Sequence, residues 1–428
     1  MNGTGRLTLF PFLLFGLFLA TDPSPLRADL LTEFGASPRA IAMGNAYAAL
    51  ADDVWGFYHN PAGPATRPYD TLVAGYLYNQ PRVKLRDADG SERIGFQESL
   101  RAGVVGFTLD TGQWLPEKFR RHLVAGMVCA FPDNLKTYVN ADIQYFDALQ
   151  FPVIGRVQDI SVMLPGVSLQ IHRKLYVGAA LRVAFTADIR NINLLFDVSD
   201  IRNPAVTFKK LDINPDTEMQ PLAGLLFIPW KDLRIGAVWR KGGGPVTFLG
   251  AVNVTVTGSP LGDVHLPPYE MLVMDFYNPE EIAFSVAYRL SGRVLASLEE
   301  TVALWSRYDL PYDAPVPGNP FHDIFIPRAG VEIGIIKDLT ARAGYSYQPS
   351  PVSTVQPLTR LLDTDQHVFA TGLGYVWRAP ERYITYPVVL DAYAQFTYLP
   401  ERTLSTIQGM TSVWGHMINV GCSVQIRF

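Results

Sequence analysis

Seven histidines stand at positions 59, 122, 172, 265, 322, 367 and 416. None has the H-E-x-x-H spacing that sets two imidazoles on one helix face around zinc, and no G-x-S-x-G elbow offers a serine nucleophile. His322-Asp323 is the nearest acid–base pair, and a neighbouring pair in a loop is more simply a solvated one. Gly242-Gly-Gly244 lacks the following Lys-Ser/Thr that a phosphate loop needs, so it is a loop hinge. Two cysteines, Cys129 and Cys422, are too few for a Cys-rich metal site or a disulfide framework. These residues point to a non-enzyme with no catalytic group, no metal and no cofactor.

The remaining chemistry is non-covalent. In Asn60-Pro61-Ala62-Gly63, Pro61 removes a backbone donor and the Asn60 amide can satisfy groups left free, so the element is able to bend. A plain tight turn entering the first strand is the competing description, and both can hold. Asp52-Asp53 is suited to pairing with arginines of a surrounding wall; a solvated helix end is the alternative. Small residues over 42–51, Gly44 and Asn45 among them, suit a segment that packs closely yet shifts, and a helix-like stretch runs from Arg39 to Leu50. Further on, Tyr138, Ile143, Phe146 and Leu149 share a roughly helical spacing with other apolar residues of 132–157. They are expected to form an external apolar collection site, or else loop helices packing on one another.

The whole chain must then position these groups. It has 428 residues, 48% hydrophobic and only 18% charged, with a net charge of −4. That balance argues against a disordered chain and against a nucleic-acid partner. After the N-terminus no run of ~18 apolar residues occurs, which excludes a bundle of transmembrane helices. A closed membrane barrel survives, because its strands carry only half the apolar signal of a spanning helix.

Residues 1–28 have the layout of a secretory signal: a short basic start ending at Arg6, an apolar stretch from Leu7 to Ala20, then a polar, Pro-rich tail. Cleavage is expected after Ala28, with Ala20 as the alternative. Beyond 68 the period is two. Ile418, Val420, Cys422, Val424, Ile426 and Phe428 share one face; Asn419, Gly421, Ser423, Gln425 and Arg427 share the other. Residues 174–187, 280–291 and 338–348 repeat the pattern. Charges and small residues fall on the face a barrel turns inward, and the apolar face is too extensive for water. Tight turns at Lys231-Asp232, Ser291-Gly292 and Lys337-Asp338 alternate with long loops at 308–323, 348–365 and 400–414. This is the outer-membrane layout: short periplasmic turns, long extracellular loops. Counting on that basis gives about fourteen antiparallel strands over 68–428, with the apolar run 246–256 left to an extracellular loop. Ring pairs at strand ends, Tyr345/Tyr347, Phe396/Tyr398 and Tyr375/Trp377, suggest interfacial girdles. Glu299-Glu300 is the misfit: strict alternation turns one to lipid at ~2 kcal/mol or more at mid-depth, and a bulge there is expected to relieve it.

Residues 29–67 do not alternate and are too few to build a core, so they are expected to be disordered or to lie inside the barrel as a plug. Here Gly35-Ala-Ser-Pro-Arg39, Ala42-Met-Gly-Asn-Ala46, Ala51-Asp-Asp53 and Tyr58-His-Asn-Pro-Ala-Gly63 resemble the N-terminal hatch of the FadL/TodX family of outer-membrane transporters. Strings along the barrel, such as Ala341-Arg-Ala-Gly-Tyr-Ser-Tyr-Gln-Pro-Ser-Pro351 and Gly372-Leu-Gly-Tyr375, fall in the order seen there. Fourteen strands is also that family's number. The resemblance implies a monomeric barrel of the bacterial outer membrane, set among lipid and lipopolysaccharide. It implies passive inward transport of long-chain fatty acids or other hydrophobic small molecules, with exit sideways through the wall. Gly126, a small residue in the third strand, is the candidate for that lateral opening. A surface barrel serving protein secretion is the alternative, since related barrels share the order of strings.

Overall fold

The computed structural model describes residues 35–67, 69–96, 99–111, 123–132, 153, 161–197, 199, 205–243, 246–257, 262–265, 269–274, 278–307, 321–353, 361–378, 386–406 and 408–428. The signal segment 1–28 and the collection residues Tyr138, Ile143, Phe146 and Leu149 lie outside them.

Alternating side chains and tight turns fold the chain into consecutive antiparallel hairpins. The strands are β1 (Thr71–Arg86), β2 (Glu92–Phe96), β3 (Leu100–Asp110), β4 (Leu123–Pro132), β5 (Val162–His172), β6 (Leu175–Asp197), β7 (Ala205–Trp230), β8 (Leu233–Arg240) and β9 (Val246–Thr257). There follow β10 (Val264–His265), β11 (Tyr269–Met274), β12 (Glu280–Arg289), β13 (Val294–Leu304), β14 (Ile324–Ile336), β15 (Leu339–Gln348), β16 (Gln366–Trp377), β17 (Val388–Thr406) and β18 (Gly409–Arg427). β1, β3–β8 and β12–β18 make a closed antiparallel barrel of fourteen strands. Closure comes from β1 pairing with β18, from Thr71↔Arg427 to Arg86↔Ser412, which leaves no edge to be satisfied in lipid. Among the described residues no helix is long and apolar enough to cross a membrane; the crossing belongs to the strands. The apolar run at 246–257 does stay out of the barrel. As β9 it lies parallel to the far end of β6, Asn191↔Ala251 through Asp197↔Thr257.

Several strands outrun the lengths expected from the pattern. β6 has 23 residues, roughly 76 Å of chain at ~3.3 Å per residue. A hydrocarbon band ~25 Å tall is crossed by about 10 tilted residues, so its far half stands clear of the membrane. β17 and β18 likewise continue as a hairpin to Thr406 and Gly409, so the long loop expected at 400–414 is largely strand. A second difference concerns Glu299-Glu300. No bulge forms there: β13 keeps register with β12 and β14 through both residues, Glu299↔Arg328 and Glu300↔Pro327. Glu299 points inward, where it has work described below. Glu300 is left on the outer face, its Oε1 buried with no hydrogen-bond partner. The inner carboxylate fixes the register, and the outer one bears the cost.

The outer face carries exposed Phe284, Leu298, Phe369, Leu373, Ile418 and Val424, and rings Tyr345, Tyr375, Trp377, Phe396 and Tyr398 near strand ends. The lumen is divided by chemistry. From β3 to β7 its lining is apolar: Val104, Val124, Val128, Val162, Leu164, Ala180, Leu222 and Leu226 are buried in one cluster. Arg182 and Gln220, hydrogen-bonded to each other at 2.7 Å, interrupt it. From β8 to β17 the lining beside the hatch carries charge: Arg234, Glu299, Arg328, Glu332, Arg342 and Asp391 are all engaged in ion pairs.

Candidate functional site

Residues 35–67 fill this two-sided lumen. Ser37 caps a short helix α1 (Pro38–Ala42), with Pro38 at its first turn, and Ala40 N–H donates to Ser37 Oγ at 3.3 Å. The helix-like stretch expected from Arg39 to Leu50 stops here. Gly44 and Asn45 take left-handed φ values of 64° and 60°, which ends the helix. Gly44 is also needed for space: a Cβ there would stand 2.6 Å from the Tyr345 amide nitrogen of the wall. A second turn of helix, α2 (Gly56–His59), leads into Asn60-Pro61-Ala62-Gly63.

The hatch is seated on glycines that face one another across adjacent strands. Gly330↔Gly344 join β14 and β15, and the Met43–Gly44 backbone lies where their Cβ atoms would be. Gly178↔Gly224 join β6 and β7; the Pro61–Ala62 backbone lies where a Cβ on Gly178 would be, and the Asn60 Oδ1 where one on Gly224 would be. Gly126↔Gly166 join β4 and β5 and receive the ring of Phe57. Removing a Cβ from both members of a pair lets the hatch backbone touch the wall. Asn60 is fully buried. Its Nδ2 donates to Ala48 O at 2.8 Å and to Leu225 O of β7 at 3.1 Å, and its Oδ1 accepts from Ala62 N–H at 3.0 Å. One side chain thereby fastens two parts of the hatch and the barrel.

Charge holds the opposite side. Asp52 meets Arg39 at 2.9 Å, Arg67 at 3.2 Å and Arg234 of β8 at 3.1 Å. Arg39 also reaches Glu332 of β14 at 2.9 Å, and Glu332 meets Arg342, which in turn pairs with Asp391 of β17. Burial alone would raise the Asp52 carboxyl, but Arg39, then Arg67 and Arg234, hold it far below the ordinary carboxylate range. Asp53 is different. Burial raises it, against the pull of Arg39, and it accepts the Tyr47 hydroxyl at 2.7 Å and Trp55 N–H at 3.1 Å. Two residues found by geometry carry no signal in the hatch itself. Glu299 accepts Tyr47 N–H at 3.0 Å and Ala48 N–H at 2.8 Å. Arg240 donates to His59 O at 2.9 Å while pairing with Glu281 at 3.1 Å. Glu299 was visible only as one of an adjacent pair of carboxylates, Glu299-Glu300, that cannot both face inward.

At Gly126 the ladders to β3 and β5 run through without a register shift. The pattern is broken one strand further on. Between Met163↔Val183 and Gly166↔Ala180 the β5–β6 ladder has no rungs, as a proline at 165 without an N–H must cause. Above the hatch, Val83, Leu85, Leu100, Ala102, Leu362, Leu399, Leu404, Val413 and Met417 form an apolar cluster inside the extended strands. Val153, the one described residue of 133–157, packs in a separate cluster with Trp305, Phe321 and Val352.

His59 is expected to give the hatch an acid response. It is buried with Nε2 unpartnered, edge-on to Tyr47 and Tyr58. Burial, with Arg240 and Arg328 nearby, pushes its imidazole well below the usual 6.5. A group depressed in the docked state resists a proton that the undocked state accepts, so docking weakens as pH falls below 6.5. Asp52, also depressed, adds its contribution above pH 3.8 and loses it below. Asp53, being raised, works in the opposite direction near that lower limit. Trypsin cleavage at Arg39 is expected to accelerate from pH 7.5 to pH 5 in the native protein and not in His59→Gln. Equal rates at both pH values in the native protein would dismiss the histidine's role.

Fold and site define a plugged barrel of the outer membrane, crossed many times by one chain. No family model matches the chain. It is 24% identical over 412 residues to alkane uptake protein A of Marinobacter nauticus, covering 91% of this chain and 88% of that one. Its fold is similar to the P. putida toluene transporter TodX (15% identity, 92% and 99% coverage, TM-score 0.57). It is equally similar to a Pseudomonas aeruginosa FadL homologue (13%, 94% and 99%, TM-score 0.55) and to the Ralstonia pickettii toluene transporter TbuX (14%, 93% and 100%, TM-score 0.56). The chain is thus similar in sequence to an alkane uptake protein and shares its fold with TodX, TbuX and a FadL homologue. They are transport proteins rather than enzymes.

Proposed function

We propose that this barrel carries hydrophobic small molecules passively inward across the outer membrane, unsubstituted hydrocarbons foremost and long-chain fatty acids beside them. The observation that supports it best is the pair of apolar clusters in the lumen, an outer one around Leu85 and Met417 and a separate one that includes Phe57 of the hatch. Each methylene that leaves water for such a wall gains ~0.8 kcal/mol, a gain that a water-filled pore does not offer. A hydrocarbon suits the polar sector as well, since Arg39, Arg234, Arg240, Arg328 and Arg342 each already pair with a protein carboxylate. A fatty-acid head group would have to compete for them. In this reading residues 29–67 are the hatch, 68–428 the barrel, and a single barrel suffices. The ligand leaves sideways through the wall rather than through the plug.

Uptake of labelled hexadecane, toluene and oleate by cells lacking the native gene, with and without the restored protein, tests this. Hexadecane or toluene uptake that depends on the protein is the expected result. Oleate uptake alone would reassign the ligand. No dependence for any of them, together with copurification of an exported protein, would move the chain to the secretion-scaffold alternative.

A further inference from the structure

At Gly330/Gly344 the hatch contributes backbone, and at Gly178/Gly224 backbone together with the Asn60 amide, which is held by three hydrogen bonds; neither can leave without the hatch. The Gly126/Gly166 couple holds a side chain instead. A Cβ on Gly126 would stand 2.5 Å from Cε2 of Phe57, and one on Gly166 would lie closer still to Cδ1. The ring is completely buried within the apolar sector that Val124, Val128 and Leu164 help to line. Beside Gly166 stands Pro165, where the β5–β6 ladder lacks its rungs. In the other barrel seams of the described residues, register shifts fall at a short turn or in the extensions beyond the membrane band. A removable apolar ring and the weakest mid-span joint of the wall are therefore adjacent.

We propose that Phe57 is the gate of the lateral exit. This deepens the transport reading and rests on it. In the closed barrel the ring occupies the last seat of the hydrocarbon path. A ligand that displaces it, by rotation about the Phe57 side-chain torsions, reaches the β5–β6 seam at Pro165, where no backbone hydrogen bond from residue 165 has to break. The seat is floored by two glycines and so is flat and without Cβ atoms. It accepts an unbranched alkyl chain or a planar ring and offers nothing to a charged head. Gly126 belongs to the floor of the seat, and the opening lies on the neighbouring seam.

The full-length protein in nanodiscs and in liposomes provides the test. Phe57→Ala empties an apolar seat of the kind that takes up benzene, so benzene is expected to bind this variant and not the native protein. Hexadecane flux should rise several-fold with it. Pro165→Val restores an amide to the seam and should lower hexadecane flux several-fold, with the heat-modifiable gel shift and trypsin resistance of the hatch unchanged. Native flux with Pro165→Val, or a Phe57→Ala variant that neither binds benzene nor changes flux, overturns the gate while leaving the transport reading intact. A native protein that moves no hydrocarbon brings down both.

Discussion

Asp52→Asn is expected to unseat the hatch while leaving the barrel folded. The carboxylate is buried among Arg39, Arg67 and Arg234. Asparagine keeps the volume and removes the charge, so three guanidinium groups are left facing one another, with Glu332 and Asp53 the acidic groups still near Arg39. Removing one partner of a buried ion pair costs roughly 3–5 kcal/mol, because the other is left uncompensated. The Arg67 contact is 40% exposed on its cationic side and contributes little of this. Taken through the docking equilibrium, the loss is about a 10²- to 10³-fold shift toward an undocked hatch. Planar-bilayer recordings should show a raised basal conductance, and trypsin should cut at Arg39 in intact barrels. Asp53→Asn supplies the contrast: burial already disfavours its charge, so the neutral amide should leave conductance near the native level. Native conductance and native trypsin resistance in Asp52→Asn would show that this ion cluster does not hold the hatch.

The barrel was legible because a closed membrane sheet has one degree of freedom per residue, in or out. The parity of Ile418 to Phe428, and of Tyr345 and Tyr347 against Gly344 and Ser346, could therefore be read from one chain. The run at 246–257 was excluded by the same parity, since one extra crossing would strand a terminus on the wrong side. Strand ends were not legible. Once β6, β7, β17 and β18 leave the membrane band, nothing forces an apolar outer face, and polar residues such as those of 400–406 continue the ladder without a change of signal. The helix expected to Leu50 failed for a tertiary reason: Gly44 must turn where it meets the β15 backbone, and no local propensity encodes that wall.

The site shows the same division. Asn60, Pro61, Asp52 and Asp53 stood out as a polar island in a stretch with no strand period. Their partners did not, because Arg234, Glu299, Glu332 and Asp391 come from strands far apart in sequence, and each looked like an ordinary inward residue. The paired glycines were hidden differently. Gly126 and Gly166 are separated by loop 133–160, and only the β4–β5 register makes them opposite. Glu299 is the instructive case. Two adjacent carboxylates cannot both face inward, so a bulge was expected at the pair; instead Glu299 keeps its inward place because it answers the hatch amides of Tyr47 and Ala48, and Glu300 is turned outward.

The glycine seats make the most severe prediction. Gly344→Val is expected to abolish a docked hatch and with it regulated uptake. A Cβ at 344 falls on the Gly44 nitrogen and stands 2.7 Å from the Gly44 Cα, both backbone atoms that no rotamer change can clear. Gly330, directly opposite, receives the Met43 backbone, so the chain cannot slide across the couple either. Overpacking of this kind costs roughly 1–3 kcal/mol where neighbours can shift. Here the shift carries α1 with it, and α1 holds Arg39 in its contacts with Asp52 and Glu332, so the steric and ionic losses combine rather than trade. Trypsin access, basal conductance and loss of saturable hexadecane uptake should change together, by at least the amount seen in Asp52→Asn. Gly292→Ala is the matched control: that glycine lies in a short turn, and an added Cβ meets nothing within 4 Å. Should Gly344→Val retain a protected hatch and native uptake, the backbone of residues 43–44 does not rest on the wall, and the seating described for all three glycine couples loses its support.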